Sequence, residues 1–572
     1  MSYSRDRSLH PASRAFILGT RRTVIPWLCL FLWSCTLTLA ADWPPVLDRN
    51  NPTTRSLDGR KIDRYTHGPR AEWGYPDSSP SAWAYPPPQE TGKPQQNHNS
   101  FYVVAPRRPY RNAPLCVVLH SANRTAFDYM GYQFLNRRID SASDPPHVMT
   151  RMPDDCYGLF LNSSNAEWWG WGTVRHDMAK YTNTLTPAEK RVLDTIEWVV
   201  VHYQIDRNRI YLSGVSMGGC GTLGIGLPHG DIFAAILADV PAGTEYVALR
   251  RGFPAPLASA ASPAERDIWT EKISGLGLPD PPVVVDFSAP NDSWSKTQPV
   301  LLEAARAGHL PLILAWGPFG HSSFSLPIAK YPQCDVVLAF PWREIRKNAA
   351  YPVFTNTSSD QRAPWLGTPA DFDESGQMNA YLRWKDQQDK PTRFAMQLWI
   401  THPTVENPPA TMPDAATADV TLRRFQQFKV QPGKTYTWQV VWDGKTVAFG
   451  KITPDAAHLL TIPKVTLTTT PVVLSVKAEE RRRSHELLRP GSVGRNGRVP
   501  VFQNSPPSND ARNLAYRSIR PSPGESAQRR GILCEHGAAN FACLDEHLIE
   551  RGSYSKELHR RLSISPRPTA LP

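Results

Sequence analysis

The chain has no C-x-x-C pair and no cysteine–histidine cluster at zinc spacing, although its 572 residues include 8 cysteines and 16 histidines. That excludes a zinc ribbon or a dithiol redox motif. Cys29 and Cys35 fall in an apolar N-terminal run; Cys116, Cys156, Cys220 and Cys334 fall in the strand-rich region; Cys534 and Cys543 lie near the C-terminus. Net charge is missing where a nucleic-acid binder would need it. The formal charge is +12, but residues 481–572 carry +8 and residues 1–25 carry +4, so residues 26–480 are neutral. The body is therefore not a basic nucleic-acid binder. The apolar run "VIPWLCLFLWSCTLTLA" (24–40) is short for a membrane span, follows Arg21 and Arg22, and ends in small residues. It reads as an export signal cleaved near Ala40, predicting a secreted, periplasmic or cell-surface protein with no stable span once the signal is removed. Trp33 makes "LWSC" a poor lipid-attachment site, so a lipoprotein anchored at Cys35 is the less favoured variant.

Residues 41–98 contain ten prolines. Proline denies a stretch a regular ladder, so an extended arm is expected, its aromatics lying on the folded body. Residues 481–572 are rich in Arg, Ser, Pro and Gly and predict a disordered basic tail.

Between these ends the chain is patterned. Residues 99–349 alternate strand-like runs with helical ones: "FYVVA" (101–105), "LCVVLH" (115–120), "GLFLN" (158–162), "RIYLSG" (209–214), "FAAILAD" (233–239), "PVVVDFS" (282–288) and "LPLILAW" (310–316). Most are nearly continuous in Val, Ile and Leu, as strands buried on both faces of a parallel sheet are. Thr186, Pro187 and Glu189 form the N-cap, first position and third position of a capping box. Val192, Leu193, Ile196, Val199, Val200 and Tyr203 then recur at helical spacing. The order is that of a βαβ-type sheet. Residues 241–281 form a long insertion, a candidate lid. Residues 350–480 change character. "RFAMQLWIT" alternates, and "KTYTWQVVWDGKTVAFGKI" is a strand–turn–strand around Asp443-Gly444. Short strands without helices predict a β-sandwich of fibronectin or immunoglobulin type.

"IYLSGVSMGG" reads as strand, sharp turn and small-residue helix around Ser216. Gly214 and Gly218 suit a turn that brings strand and helix backbones close, and such a turn exposes the serine Oγ above the sheet. It also sets the Met217 N–H at a helix N-terminus beside the reacting centre. "APNDSW" places Asp292 past the end of one later strand, and "GPFGHSSF" places His321 past the end of the next. Active groups of open α/β sheets sit at such ends. In this reading His321 takes the Ser216 proton and Asp292 holds the imidazole. Asp286, in mid-strand, and Asp239, after "AAILA", are rival acids; His309 and His120 are weaker rivals for the base. Ser121 and Ala122, in "LHSAN", are candidates for the second oxyanion donor. Trp168, Trp169 and Trp171 in "EWWGWG" read either as a core cluster or, with Trp294, as aromatic walls of a substrate cleft.

At "LHSAN", "EWVVVHYQIDRNRIYLSGVSMGG", "APND" and "GPFGHSSF" the chain resembles the α/β-hydrolase superfamily. It looks most like the branch of polyhydroxybutyrate depolymerases, feruloyl and acetyl-xylan esterases and prolyl-oligopeptidase-like peptidases. The resemblance covers about 99–345 and departs at Ser121, where relatives carry a glycine. It implies a doubly wound, mostly parallel α/β-hydrolase sheet, followed here by the small all-β sandwich. It implies an ester or amide hydrolase acting through an acyl-enzyme, without a metal or organic cofactor. The expectation is an exported serine esterase acting on small or polymeric esters, its β-domain binding polymer or packing on the catalytic domain. A serine peptidase and a catalytically silent surface binding protein of the same fold remain the alternatives.

Overall fold

The computed structural model describes residues 45–47, 54–55, 59–67, 73, 100–122, 125–130, 153–163, 168, 185–241, 279–321, 331–366 and 374–479. The apolar N-terminal run read above as an export signal, the insertion between 242 and 278 and the residues from 480 onward lie outside the described residues, as do Trp169 and Trp171.

Three short strands come first: β1 (Val46–Leu47), β2 (Thr54–Arg55) and β3 (Lys61–Thr66). They correct the expectation that 41–98 lacks any ladder. The ten prolines leave residues 53–68 free of proline, and there β2 and β3 pair, with β3 continuing onto β4 (Ser100–Val104). Trp73 is buried against the body, its indole donating to Asp194 at 2.8 Å.

Six parallel strands follow: β5 (Leu115–Leu119), β6 (Tyr157–Leu161), β7 (Ile210–Val215), β8 (Ala235–Asp239), β9 (Val283–Ser288) and β10 (Leu312–Trp316). Every residue in them is buried. They lie in the order β6-β5-β7-β8-β9-β10, with β4 antiparallel on one side. The order reverses at β5, which opens a crevice at the carboxyl ends of β5 and β7. Helices α1 (Ala126–Met130), α2 (Pro187–His202), α3 (Met217–Gly226) and α4 (Gln298–Ala307) lie in the connections between them, and α5 (Pro332–Leu338) follows β10. The α2 capping box closes as its sequence implies, Thr186 accepting from Glu189 N–H and Glu189 from Thr186 N–H.

Alternation along each strand divides the core in two. Val117, Leu119, Leu159, Leu212, Val284 and Leu314 share one cluster with Val192, Ile196 and Val199 of α2 and Leu301 of α4. Cys116, Val118, Phe160, Tyr211, Val285, Phe287 and Ile313 belong to the other. That second cluster runs on without a break into the rest of the chain. It takes in Tyr351 and Val353 of β11 (Tyr351–Thr355) and continues through the strands beyond.

Those strands are β12 (Gly376–Met378), β13 (Leu382–Lys390), β14 (Arg393–Ile400), β15 (Ala415–Arg423), β16 (Tyr436–Trp442), β17 (Lys445–Ile452), β18 (Leu460–Thr468) and β19 (Val472–Ala478). They form a three-stranded sheet, β11-β15-β18, and a five-stranded sheet, β13-β14-β19-β16-β17. Asp443 (φ 47°) and Gly444 (φ 73°) make the two-residue turn between β16 and β17, both positive as a type I′ turn requires. β12 belongs to neither small sheet. It pairs antiparallel with β10 and so becomes the edge of the main sheet. The segment 350–480 therefore contributes both a strand and core residues to the α/β body. Arg423 and Arg424 tie it further: Arg423 pairs with Asp280 at 2.7 Å, and Arg424 donates to the Pro281 carbonyl and lies over the Tyr351 ring. Among the described residues no helix is long and apolar enough to cross a membrane.

Asp286 lies wholly buried in β9, and loss of water raises its carboxyl to about 7 although the Ser288 hydroxyl donates to it. The folded chain thus holds a proton that the unfolded chain releases near pH 4. Stability from this group falls as pH rises from about 4 to about 7 and is constant above. Asp286→Asn should therefore gain in Tm relative to the parent on going from pH 5 to pH 7.5. Melts at both values test this; an equal difference at both would refute it.

Candidate functional site

Ser216 stands between β7 and α3 with φ 58° and ψ −118°, a conformation costing a non-glycine residue about 1–3 kcal/mol. Neighbouring backbone holds it there. Its N–H donates to the Asp239 carbonyl at 2.8 Å and its carbonyl accepts from Cys220 N–H at 2.9 Å. No side chain fits inside this turn. A Cβ at Gly214 would lie 2.4 Å from the Gly218 carbonyl oxygen, and one at Gly218 would lie 2.1 Å from that of Leu119. The glycines are demanded by these close approaches and not by flexibility.

The hydroxyl of Ser216 is 2.7 Å from His321 Nε2, and His321 Nδ1 is 2.8 Å from Asp292 Oδ2. A carboxylate only accepts, so Nδ1 carries the proton and Nε2 is left to accept from Ser216. Asp292 is 4% exposed and commits its other oxygen to the N–H of Trp294, capping the short helical turn Ser293–Ser295. The line serine–histidine–carboxylate is thus continuous. The rivals stand elsewhere. Asp286 is inside β9, Asp239 supplies its backbone carbonyl to Ser216, and His309 bonds Thr421.

Met217 opens α3 and is 4% exposed. Residues 119–120 lie against Gly218, which brings Ser121 and Ala122 beside this turn. His120 organises them. Its Nε2 accepts from the Ser163 N–H at 3.0 Å, so its Nδ1 carries the proton and donates to the Ser121 carbonyl at 2.8 Å. In a planar trans peptide the N–H opposes the C=O, so the Ala122 N–H is directed away from the imidazole.

Of the aromatic candidates, Trp294 packs on His321, ring centroids 4.7 Å apart. Trp168 does not line a cleft. It is 1% exposed, donates its indole N–H to the His120 carbonyl at 3.0 Å and packs on Gly221, where a Cβ would lie 2.6 Å from the Trp168 Cβ. The absent side chain at 221 makes that core slot.

Nothing in the bare sequence singled out Asn291. Its Oδ1 accepts from the Gly320 N–H at 2.8 Å, immediately before His321. Asn291 and Asp292 together pin the histidine loop at two consecutive residues. The only cue in the chain is adjacency to the acid.

The chain has an α/β-hydrolase-like fold. Parallel strand order, strained serine turn, and acid and histidine past the ends of β9 and β10 agree in this. No protein-family model and no curated protein matches the sequence. Solved structures do match part of it. A fluorophosphonate-binding serine hydrolase of Staphylococcus aureus aligns over 40% of this chain and 87% of its own, at 12% identity and TM-score 0.28. A thermostable esterase aligns over 39% of this chain and 52% of its own, at 20% identity and TM-score 0.26. An acylaminoacyl peptidase aligns over 39% of this chain and 35% of its own, at 15% identity and TM-score 0.25.

Asn291 is exposed, so Asn291→Ala should leave Tm within about 2 °C of the parent while any turnover at this site falls roughly 2–10-fold, the worth of one neutral hydrogen bond. Steady-state kinetics beside a melt read both; unchanged kcat would remove Asn291 from the site.

Proposed function

We propose that the protein is a serine hydrolase that cleaves carboxylic esters through an acyl-enzyme. One observation carries this reading: the hydrogen-bonded line from Ser216 Oγ through both nitrogens of His321 to Asp292. Ser216 Oγ attacks the ester carbonyl carbon as His321 Nε2 takes its proton. Asp292 stabilises the imidazolium so formed and keeps its ring in place. The carbonyl electrons move onto oxygen, where the N–H groups of Met217 and Ala122 receive them; the positive end of α3 adds to this. Collapse of the tetrahedral intermediate expels the alcohol, which leaves with the proton from His321. Water then repeats the cycle on the acyl group and frees Ser216.

The aromatic face of Trp294 beside His321 suits the acyl or alcohol side of such a substrate. Export of the chain and action on a polymeric ester belong to the same proposal. Both follow from the N-terminal pattern and the resemblance noted above.

Ser216→Ala and His321→Ala should each lower kcat on a p-nitrophenyl ester by roughly 10⁴-fold or more. Asp292→Asn should cost about 10⁴-fold by favouring the wrong tautomer. Wild-type turnover in the serine or histidine variant would defeat the mechanism. Peptide p-nitroanilides run beside the esters separate an esterase from a peptidase.

A further inference from the structure

We infer that Trp365, in the segment 350–480, is a positioning residue for both the acid and the base of this site. The inference rests on the serine-hydrolase reading above.

The acid loop is a short closed turn. Asp292 N–H donates to the Ala289 carbonyl at 3.0 Å and Ser295 N–H to the Asp292 carbonyl at 3.1 Å. Ser295 sits at its centre, 1% exposed. Its hydroxyl lies 2.6 Å from the Ala289 carbonyl and 3.0 Å from the Asp292 carbonyl, and its one proton serves these two oxygens. The lone pairs of the hydroxyl then need a donor, and the Trp365 indole N–H supplies it at 3.0 Å. An indole N–H can only donate, so the direction of the whole chain is set: Trp365 to Ser295, and Ser295 to the carbonyls that shape the loop of Asp292. A buried hydroxyl with both roles filled has one arrangement.

The same indole reaches the histidine arm. Its ring meets Trp316 edge-on, centroids 6.2 Å apart at 67°. Trp316 ends β10, and five residues later comes His321. The other side of Trp316 is closed by β12, whose Gly376 backbone lies so near that a Cβ would fall 2.2 Å from the indole. Trp316 is 1% exposed as a result. Residues 365 and 376 thus hold, from behind, the two strand ends that carry Asp292 and His321. The segment 350–480 is in this respect part of the hydrolase and not a separable appendage.

The test is a double-mutant cycle on ester turnover. Trp365→Phe keeps a ring against Trp316 and loses the N–H; Ser295→Ala keeps Trp365 and loses the hub. Each should lower kcat roughly 2–10-fold with KM within about two-fold, since substrate binding is untouched. The double variant should lose no more than the larger single loss, because both remove one connection. Melts run alongside report folding, and Ser295→Ala reads the same link if Trp365→Phe fails to fold. Wild-type kcat in the folded variants, or single losses that multiply in the double variant, would overturn the proposal. Ser216→Ala in the same assay must be inactive; activity there would instead defeat the serine-hydrolase reading.

Discussion

The packing of backbone against backbone at the β7–α3 turn is the constraint on which the rest of the site depends. Ser216 is held at φ 58° because three neighbouring segments leave it no other course: its own helix at Gly218, the end of β5 at Leu119, and the end of β8 at Asp239. Each approach is close enough to forbid a Cβ at Gly214, Gly218 or Gly219. A strained residue persists only where its surroundings over-determine it. Here they do, and the same contacts draw His120, Ser121 and Ala122 in beside the serine.

Asp292 and His321 are held by a different kind of contact. The serine turn is secured by sterics; Asp292 and His321 are secured by directed hydrogen bonds whose donors and acceptors are all assigned. Asp292 divides its two oxygens between Trp294 N–H and His321 Nδ1–H. Asn291 takes the backbone of the residue before the histidine. Ser295 and Trp365 close the network from behind. Tautomer choice for both His120 and His321 follows from partners that can act in one sense only. Both rings are thereby held as the Nδ1–H tautomer, His120 between Ser163 N–H and the Ser121 carbonyl and His321 between Ser216 and Asp292.

Much of this architecture was legible in the chain because the parallel strands are buried on both faces and therefore read as unbroken apolar runs. Strand positions and the α2 cap followed from such runs and from Thr186, Pro187 and Glu189. Less was legible where a strand is half charged. β13, "LRWKDQQDK", has little apolar signal because only Leu382 and Trp384 are apolar, and a register shift between Asp386 and Gln388 breaks its alternation further. The β2–β3 pair is masked in the sequence because ten prolines crowd residues 41–98 while the paired stretch, 53–68, holds none. Trp168 reads equally as core or cleft in the sequence, since its place depends on a glycine 53 residues away.

By itself the sequence determined the strained serine turn, the alternation of buried strands and helices, and the chain order of serine, acid and histidine. These depend on local pattern: glycines at fixed spacing, apolar continuity, and loops past strand ends. Only the tertiary structure decided which carboxylate meets His321, how the segment at 120–122 is turned, and that the later half of the chain completes the main sheet and braces the site. Those depend on contacts between residues far apart in sequence, such as Trp365 with Ser295 and β12 with β10. No local pattern encodes them, because a hydrogen bond across 70 residues leaves no periodic trace in either segment.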